Sequence, residues 1–229
     1  MLRAIDGGEY LARYRDHYKK LYVADADLYH WPLKQSALFR SPSWRIAALA
    51  GDPWRVMNAD SEGAVDWNEH SVLDPSKSVE PAYRRYMFDR FWQPWMNLLR
   101  ERSIEQLVFS VYERVGCELP CCAECGVDRE EIAAAFSKIE FDIARACALF
   151  SMSDDWAMYC WEGFAILGGT PEFMEQYGEL AGGWDRIRTD FKKHLEGDYD
   201  SYDYPQYRAA VERALSGPDG AWSQVARNR

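Results

Sequence analysis

The sequence predicts an α+β fold that is predominantly α-helical, namely a helical bundle of six or more helices with a small N-terminal β-hairpin. The 229 residues are 48% hydrophobic and 15% aromatic, which indicates a packed core rather than a disordered chain. From about residue 80 onward, apolar residues recur at steps of three and four, the spacing of a buried helical face. Before that point, two short apolar runs flank Gly51-Asp52-Pro53, which is the pattern of two strands around a turn.

The N-terminal part begins with an amphipathic helix, predicted over residues 9–22 because aromatic and apolar side chains recur there at helical spacing. The two strands of the hairpin are predicted at residues 44–49 and 54–57. Residues 60–80 are polar and rich in turn-forming residues, and they are predicted to form a loop, with a strand at residues 65–72 as the alternative.

The rest of the chain is predicted to be helical, at residues 80–99, 104–115, 128–150, 153–169, 170–182, 184–195 and 204–215. Asp128, followed by Glu131, has the spacing of a helix N-cap. Ser153 is predicted to cap the next helix, and Thr170 before Pro171 the one after it, since proline suits the first helical position. With no repeat period and no long linker, the chain is predicted to form a single domain over residues 1–229. Its N-terminal helix and hairpin span about 1–78, and its helical body spans about 79–229.

The charge balance excludes several classes of function. The chain carries 37 acidic and 27 basic residues, a formal net charge of −10. Free nucleic acid is therefore an unsuitable ligand, because phosphate binding depends on clustered lysine and arginine. An anionic membrane surface is disfavoured for the same reason. The N-terminus lacks the apolar run of a signal peptide, and no stretch approaches 18 uncharged apolar residues, so a cytoplasmic protein is predicted.

Four cysteines within nine residues suggest metal or redox chemistry. They are Cys117, Cys121, Cys122 and Cys125. Zinc sites use two separated ligand pairs, and this run has no second pair downstream and no histidine nearby. Reduced thiols are therefore the preferred interpretation, with a metal site or a disulfide as alternatives, and no metal or cofactor is predicted. Cys147 and Cys160 lie on apolar segments and are predicted to be core residues.

Other candidate chemistry is sparse, and no catalytic residue is assigned. Among the four histidines, His70 in the predicted loop is the first residue to test if the protein is an enzyme. Asp154 and Asp155 are a carboxylate pair, but their place after Ser153 favours helix capping over acid–base catalysis. The sequence contains no nucleotide-binding or nucleophile motif. Gly168-Gly169 and Gly182-Gly183 are predicted at helix ends, where the surrounding carboxylates would oppose bound phosphate.

The most informative feature is an acidic, aromatic stretch that contains no lysine or arginine between Arg145 and Arg186. Carboxylates without local counter-charges repel one another and gain free energy when a cationic surface approaches. We expect steering of a partner by Asp154, Asp155, Glu162, Glu172, Glu175, Glu179, Asp198, Asp200 and Asp203. The expected aromatic anchors are Trp161, Tyr199 and Tyr202, since such rings offer large contact area at low entropic cost.

These observations predict an acidic, non-enzymatic binding protein that neutralises a basic protein partner, such as an immunity protein or inhibitor of a toxin or nuclease. The alternative is a small helical enzyme or ligand-binding domain with an aromatic-lined pocket.

Overall fold

The computed structural model describes residues 2–22, 39–41, 43–58, 81–111, 121–141, 146–161 and 163–198, without the side chains of residues 81–83 and 195–198. Its centre is a seven-stranded antiparallel sheet with the strand order β1-β4-β3-β5-β6-β7-β2. The strands are β1 (Arg3–Ile5), β2 (Arg45–Ala50), β3 (Gln106–Ser110), β4 (Cys122–Gly126), β5 (Ala146–Phe150), β6 (Trp156–Trp161) and β7 (Phe164–Gly169). The prediction of a predominantly helical bundle with a small hairpin is therefore wrong.

The helices of the described segments cover both faces of this sheet. They are α1 (Gly7–Arg13), α2 (Arg15–Leu21), α3 (Pro53–Met57), α4 (Pro81–Met87), α5 (Gln93–Glu101), α6 (Arg129–Lys138), α7 (Pro171–Leu180) and α8 (Trp184–Asp198), with a π-helical segment (Phe88–Trp92) joining α4 to α5. On one face, Phe150 of β5 packs against Tyr14, which directly precedes α2, and against Tyr18 within α2. On the other face, the Trp156 ring of β6 stacks on Phe173 of α7, with ring centroids 6.1 Å apart.

Burial on both faces explains why the strands were predicted as helices. All six residues of β6 and all six of β7 are buried, so these strands lack the polar–apolar alternation that identifies a half-exposed strand. The predicted helix at 104–115 contains β3, the helix at 128–150 is α6 followed by β5, and the helix at 153–169 is the β6–β7 pair. The predictions at 104–115 and 153–169 are therefore wrong. The prediction at 128–150 is correct only for the residues of α6.

The predicted N-terminal hairpin is also wrong, because its second strand is a helix. The Asp52 side chain accepts a hydrogen bond from the backbone N–H of Arg55 at 3.0 Å, and Pro53 occupies the first position of α3. An aspartate cap followed by proline is a helix-start signal. The first strand is β2, whose partner is β7. The loop or strand predicted within 60–80 and the helix at 204–215 lie outside the described residues.

Several helix boundaries are confirmed where a capping side chain decides them. The Asp128 carboxylate accepts hydrogen bonds from the backbone N–H groups of Glu130 and Glu131 at the start of α6. The Thr170 hydroxyl accepts one from the backbone N–H of Phe173 at the start of α7. The helical character of residues 9–22 and 80–99 is confirmed, although the first is divided at Tyr14 into α1 and α2.

A charged cluster fastens the first helices to the sheet. The Glu124 carboxylate of β4 is 4% exposed and accepts hydrogen bonds from the Tyr14 hydroxyl and from the Arg3 guanidinium. Arg13 completes the cluster at 2.8 Å from Glu124. Because the buried carboxylate has several charged or hydroxyl partners, its desolvation is compensated. Among the described helices, none combines the length and apolarity needed to cross a lipid bilayer.

Replacing Asp128 with alanine tests the cap of α6. The Asp128→Ala variant loses the acceptor for two backbone N–H groups, so its free energy of unfolding should fall by about 1 kcal/mol, within a range of about 0.5–2 kcal/mol. Urea denaturation measures the change. The Asp128→Asn variant keeps a capping oxygen and should remain within a few tenths of a kcal/mol of the parent. Equal losses in the two variants would show that charge, and not the cap, is the stabilising feature.

Candidate functional site

An acidic groove of about 800 Å³ opens where α5, the β5–β6 turn and α7 meet. We define it by its lining residues: Glu101, Arg102, Asp155, Glu172, Gln176, Glu179 and Leu180. Four carboxylates thus face a single guanidinium, which leaves three negative charges uncompensated within the groove. Such a concave site of one charge sign focuses the electrostatic field on an approaching cation.

The α7 wall of the groove follows from the spacing of its apolar residues. Phe173, Met174 and Tyr177 are buried, and the Tyr177 hydroxyl donates a hydrogen bond to the backbone carbonyl of Phe91 at 3.3 Å. The opposite face of the helix is consequently turned to solvent. That face carries Glu172, Glu175, Gln176, Glu179 and Leu180, all of them exposed.

The turn between β5 and β6 is fixed to the start of α7. The backbone N–H of Thr170 donates a hydrogen bond to the backbone carbonyl of Asp155 at 2.8 Å, and the Ser153 hydroxyl accepts one from the N–H of Asp155 at 3.1 Å. These bonds hold the backbone of Asp155 in place beside Glu172, so the two carboxylates share one wall of the groove.

Arg102 is the internal counter-ion of the groove. Its guanidinium lies 2.9 Å from the Asp155 carboxylate and 3.5 Å from that of Glu172. It also donates to the Gln176 side-chain oxygen through two nitrogens, at 2.9 and 3.1 Å, and it lies over the Phe173 ring at 5.1 Å. The cation–π contact and the two hydrogen bonds hold the guanidinium of Arg102 in one position. Its shorter ion pair is the one with Asp155.

The remaining acids of α7 are electrostatically unfavourable for the helix itself. Neither Glu175 nor Glu179 forms an ion pair with another described residue, and the last turn of α7 contains no basic residue. They lie four positions apart, where like charges repel. Glu179 also stands in the last turn, where the partial negative charge of the helix terminus favours a cation instead. The helix therefore keeps carboxylates that cost it stability.

The structure divides the predicted steering residues into separate groups. Asp155, Glu172 and Glu179 line the groove, and Glu175 lies beside them on α7. Asp154 turns instead toward α2, where its carboxylate is 3.6 Å from Nδ1 of His17. Neither residue of the Asp154–Asp155 pair begins a helix, so the helix-capping interpretation of that pair is wrong.

One predicted aromatic anchor, Trp161, lies among the described residues, and it is buried. Trp161 is 4% exposed, because it lies in β6 and packs against the rings of Tyr159 and Phe164. The expectation that it offers a surface ring is wrong. The side chain of Asp198, and residues Glu162, Tyr199, Asp200, Tyr202 and Asp203, lie outside the described part of the structure.

Sequence reasoning missed several groove residues. Gln176 and Leu180 follow Glu172 at steps of four on one face of α7, a signal that the sequence does contain. Leu180 is 41% exposed. Glu101 and Arg102 carry no sequence signal for this site, because only the tertiary fold brings the end of α5 to α7.

The cysteine run does not form a metal site within the described residues. Cys121, Cys122 and Cys125 are buried free thiols, and no group of three or more potential ligands is present in that part of the structure. Burial raises the pKa of Cys125 to about 12 and raises that of Cys122 still further. Protonated thiols are poor nucleophiles and poor metal ligands. The prediction of reduced loop thiols is thus corrected in one respect, since Cys122 and Cys125 belong to strand β4.

Cys147 and Cys160 are confirmed as core residues, although they lie on strands rather than on helices. They face each other in the β5–β6 register and are both fully buried. Cys117 and His70 lie outside the described residues. The Nε2 atom of His17 is bonded to the backbone carbonyl of Ser151 at 2.8 Å, which makes that ring part of the packing of α2 on the sheet.

Comparisons of the chain with protein-family models, with curated proteins and with solved structures found no match. Function therefore has to be inferred from the charges and the geometry of the acidic groove.

Thiol reactivity tests the burial of the cysteines. At pH 8, iodoacetamide should label Cys125 in the folded protein far more slowly than in urea, because a pKa of about 12 against an ordinary value of 9.0 lowers the thiolate fraction roughly a thousandfold. Mass spectrometry of the digested protein reports the rate for each cysteine. Labelling of Cys125 at the same rate in both conditions would contradict its placement in the core.

The cost of the acidic face of α7 can be measured with a charge reversal. Glu179→Lys places a cation near the helix C-terminus and four residues after Glu175, so the free energy of unfolding at pH 7 should rise by about 0.5–1 kcal/mol. The matched control is Glu130→Lys in the first turn of α6, which should lower stability by about 0.3–1 kcal/mol. Thermal unfolding measures both variants. A loss of stability in Glu179→Lys would show that Glu179 is held by a favourable contact.

Proposed function

We propose that the protein is an acidic, non-enzymatic binding protein that neutralises a basic protein partner, of the class of a toxin or nuclease inhibited by an immunity protein. The acidic groove is the proposed contact surface, and its occupant is a lysine- or arginine-bearing segment of the partner. The observation that carries the proposal is the set of four carboxylates opposed by one guanidinium in a groove of about 800 Å³.

Charge complementarity is the first support for this occupant. A partner cation placed against Glu179 would relieve its repulsion with Glu175, which the free protein retains, so part of the binding free energy comes from unfavourable electrostatics in the unbound state. The same field would raise the rate of encounter with a basic surface. A neutral or acidic partner would gain neither advantage.

An apolar residue of the groove is the second support. Leu180 lines the groove and is 41% exposed. A leucine beside carboxylates can cover the aliphatic stem of lysine or arginine, whose methylene groups bury favourably while the charged head is paired.

A cytoplasmic location is proposed with this function, and it agrees with the free thiols of the described cysteines. The alternative function of a small enzyme or ligand-binding domain stays a prediction. Its main candidate residue, His70, lies outside the described residues, and no specific contact of the described residues favours it.

Neutralising the α7 face tests the proposal. The triple variant Glu172→Gln, Glu175→Gln, Glu179→Gln should lower the association rate with a lysine- and arginine-rich peptide by about tenfold at low ionic strength, and it should flatten the salt dependence of that rate. Stopped-flow or surface plasmon resonance measures the rate. The same variant, immobilised, should lose the basic proteins that the parent captures from a lysate of its source cells.

The matched control removes three negative charges elsewhere, with Asp16→Asn, Glu105→Gln and Glu130→Gln, which are exposed residues outside the groove. This variant has the same net charge as the first and should change the rate by less than about twofold. Equal losses in both variants would mean that the probe responds to net charge alone, and the groove would then have no role.

A further inference from the structure

Arg90 is a buried arginine with hydrogen-bonding capacity left over. Its side chain is 9% exposed, and Nε lies 2.5 Å from the Asp190 carboxylate of α8. Nη1 donates to the backbone carbonyl of Ala181, just after α7. Nη2 is buried and has no hydrogen-bond partner. Buried donors are almost always satisfied, and one that is not requires an explanation, of which a bound ion or water is one.

A second guanidinium approaches the same place from α8. A Cβ atom at Gly182 would lie 3.4 Å from Nη1 of Arg90 and 3.5 Å from Nη1 of Arg186, so the two arginines converge on the turn between α7 and α8. The residue there is glycine with φ of +78°, a conformation that other residues rarely adopt. The absent Cβ leaves space between Nη1 of Arg90 and Nη1 of Arg186.

The charges at this turn do not balance. Asp190 pairs with Arg90 and is 4.0 Å from Arg186, which is the only ion pair of Arg186 among the described residues. Two cations therefore share one carboxylate. Tyr86 belongs to the same cluster, since its hydroxyl is hydrogen-bonded to the Asp190 carboxylate, and burial together with that carboxylate raises the pKa of Tyr86. Water could satisfy Nη2, but it brings no negative charge to a cluster that holds two guanidinium groups and one carboxylate.

We propose that Arg90 and Arg186, next to Tyr86, form a binding site for a small tetrahedral oxyanion, either phosphate or a phosphomonoester. Nη2 of Arg90 offers N–H donors that have no hydrogen-bond partner, and a charge-assisted hydrogen bond from a guanidinium to an oxyanion is strong. Arg186 supplies donors from a different direction, which suits an anion whose oxygens point tetrahedrally. Arg186 and Tyr86 are exposed, at 63% of the side chain and 43%, so the anion enters on their side.

This site is separate from the acidic groove. Glu179 and Leu180 line the groove, whereas the next two residues, Ala181 and Gly182, contact Arg90. The proposal therefore stands independently of the proposed function, and loss of one leaves the other unaffected.

Titration with inorganic phosphate tests the proposal on the full chain, with sodium chloride used to match ionic strength. The melting temperature should rise by about 3–5 °C at ten times the dissociation constant. Phosphate also stabilises proteins non-specifically by exclusion from their surface, so the comparison of variants decides. Arg186→Gln should lose most of the increase. Its matched control, Arg188→Gln, removes a charge from the same helix at a residue paired with Asp185 and should keep the increase.

A second measurement avoids dependence on unfolding. The ³¹P resonance of phosphate should broaden on addition of the parent and of Arg188→Gln, and broaden far less with Arg186→Gln or with Arg90→Lys, which keeps the charge but removes Nη2. O-phosphoserine in place of phosphate distinguishes an esterified ligand from the free anion. Equal thermal shifts and equal broadening in the parent, Arg186→Gln and Arg188→Gln would overturn the proposal.

Discussion

The seven-stranded sheet is buried on both faces, and the other features of the structure depend on this constraint. Helices must cover each side, which they do through rings such as Phe150 beneath α2 and Trp156 beneath α7. Charged side chains are then excluded from the strands unless they are paired, as Glu124 is with Arg3. The chain's remaining acids consequently collect on turns and on the outer faces of helices, which is where the acidic groove forms.

The same constraint limits what the sequence could predict about the fold. Helix starts were predictable wherever one side chain accepts a nearby backbone N–H, as Asp128 and Thr170 do. Ser153 has the same chemistry, yet it accepts the N–H of Asp155 within a turn between strands, because a local hydrogen bond of this kind serves turns and caps alike. The strands that follow alternate between two buried faces, so their side chains carry no period-two signal. The sequence therefore predicts hydrogen bonds between neighbouring residues, but it does not predict which segments belong to the sheet.

For the candidate site, the sequence supplied one sign of charge and the tertiary structure supplied the other. The carboxylates of α7 could be predicted because they lie on one helix in a stretch without lysine or arginine. Arg102 could not, since it contacts Asp155 across 53 positions of the chain. The expectation that carboxylates surround Gly182 likewise considered only residues that are near in sequence. Arg90 reaches that turn across 91 positions, and the local electrostatics there are opposite to those that neighbouring residues in sequence suggest.

These two arginines also explain how α7 tolerates its acidic face. The helix has no cation in its last turn, but Arg90 donates to the carbonyl of Ala181 and so places positive charge at the carboxyl end, where the helix dipole favours it. Arg102 lies beside the first two turns and pairs there with Glu172. Both arginines are fixed by partners on other elements, so they stabilise the helix without covering Glu175 and Glu179. A helix stabilised at both ends by arginines of other elements can keep Glu175 and Glu179 unpaired on its outer face, and this arrangement leaves the two carboxylates available to a cation from outside the molecule.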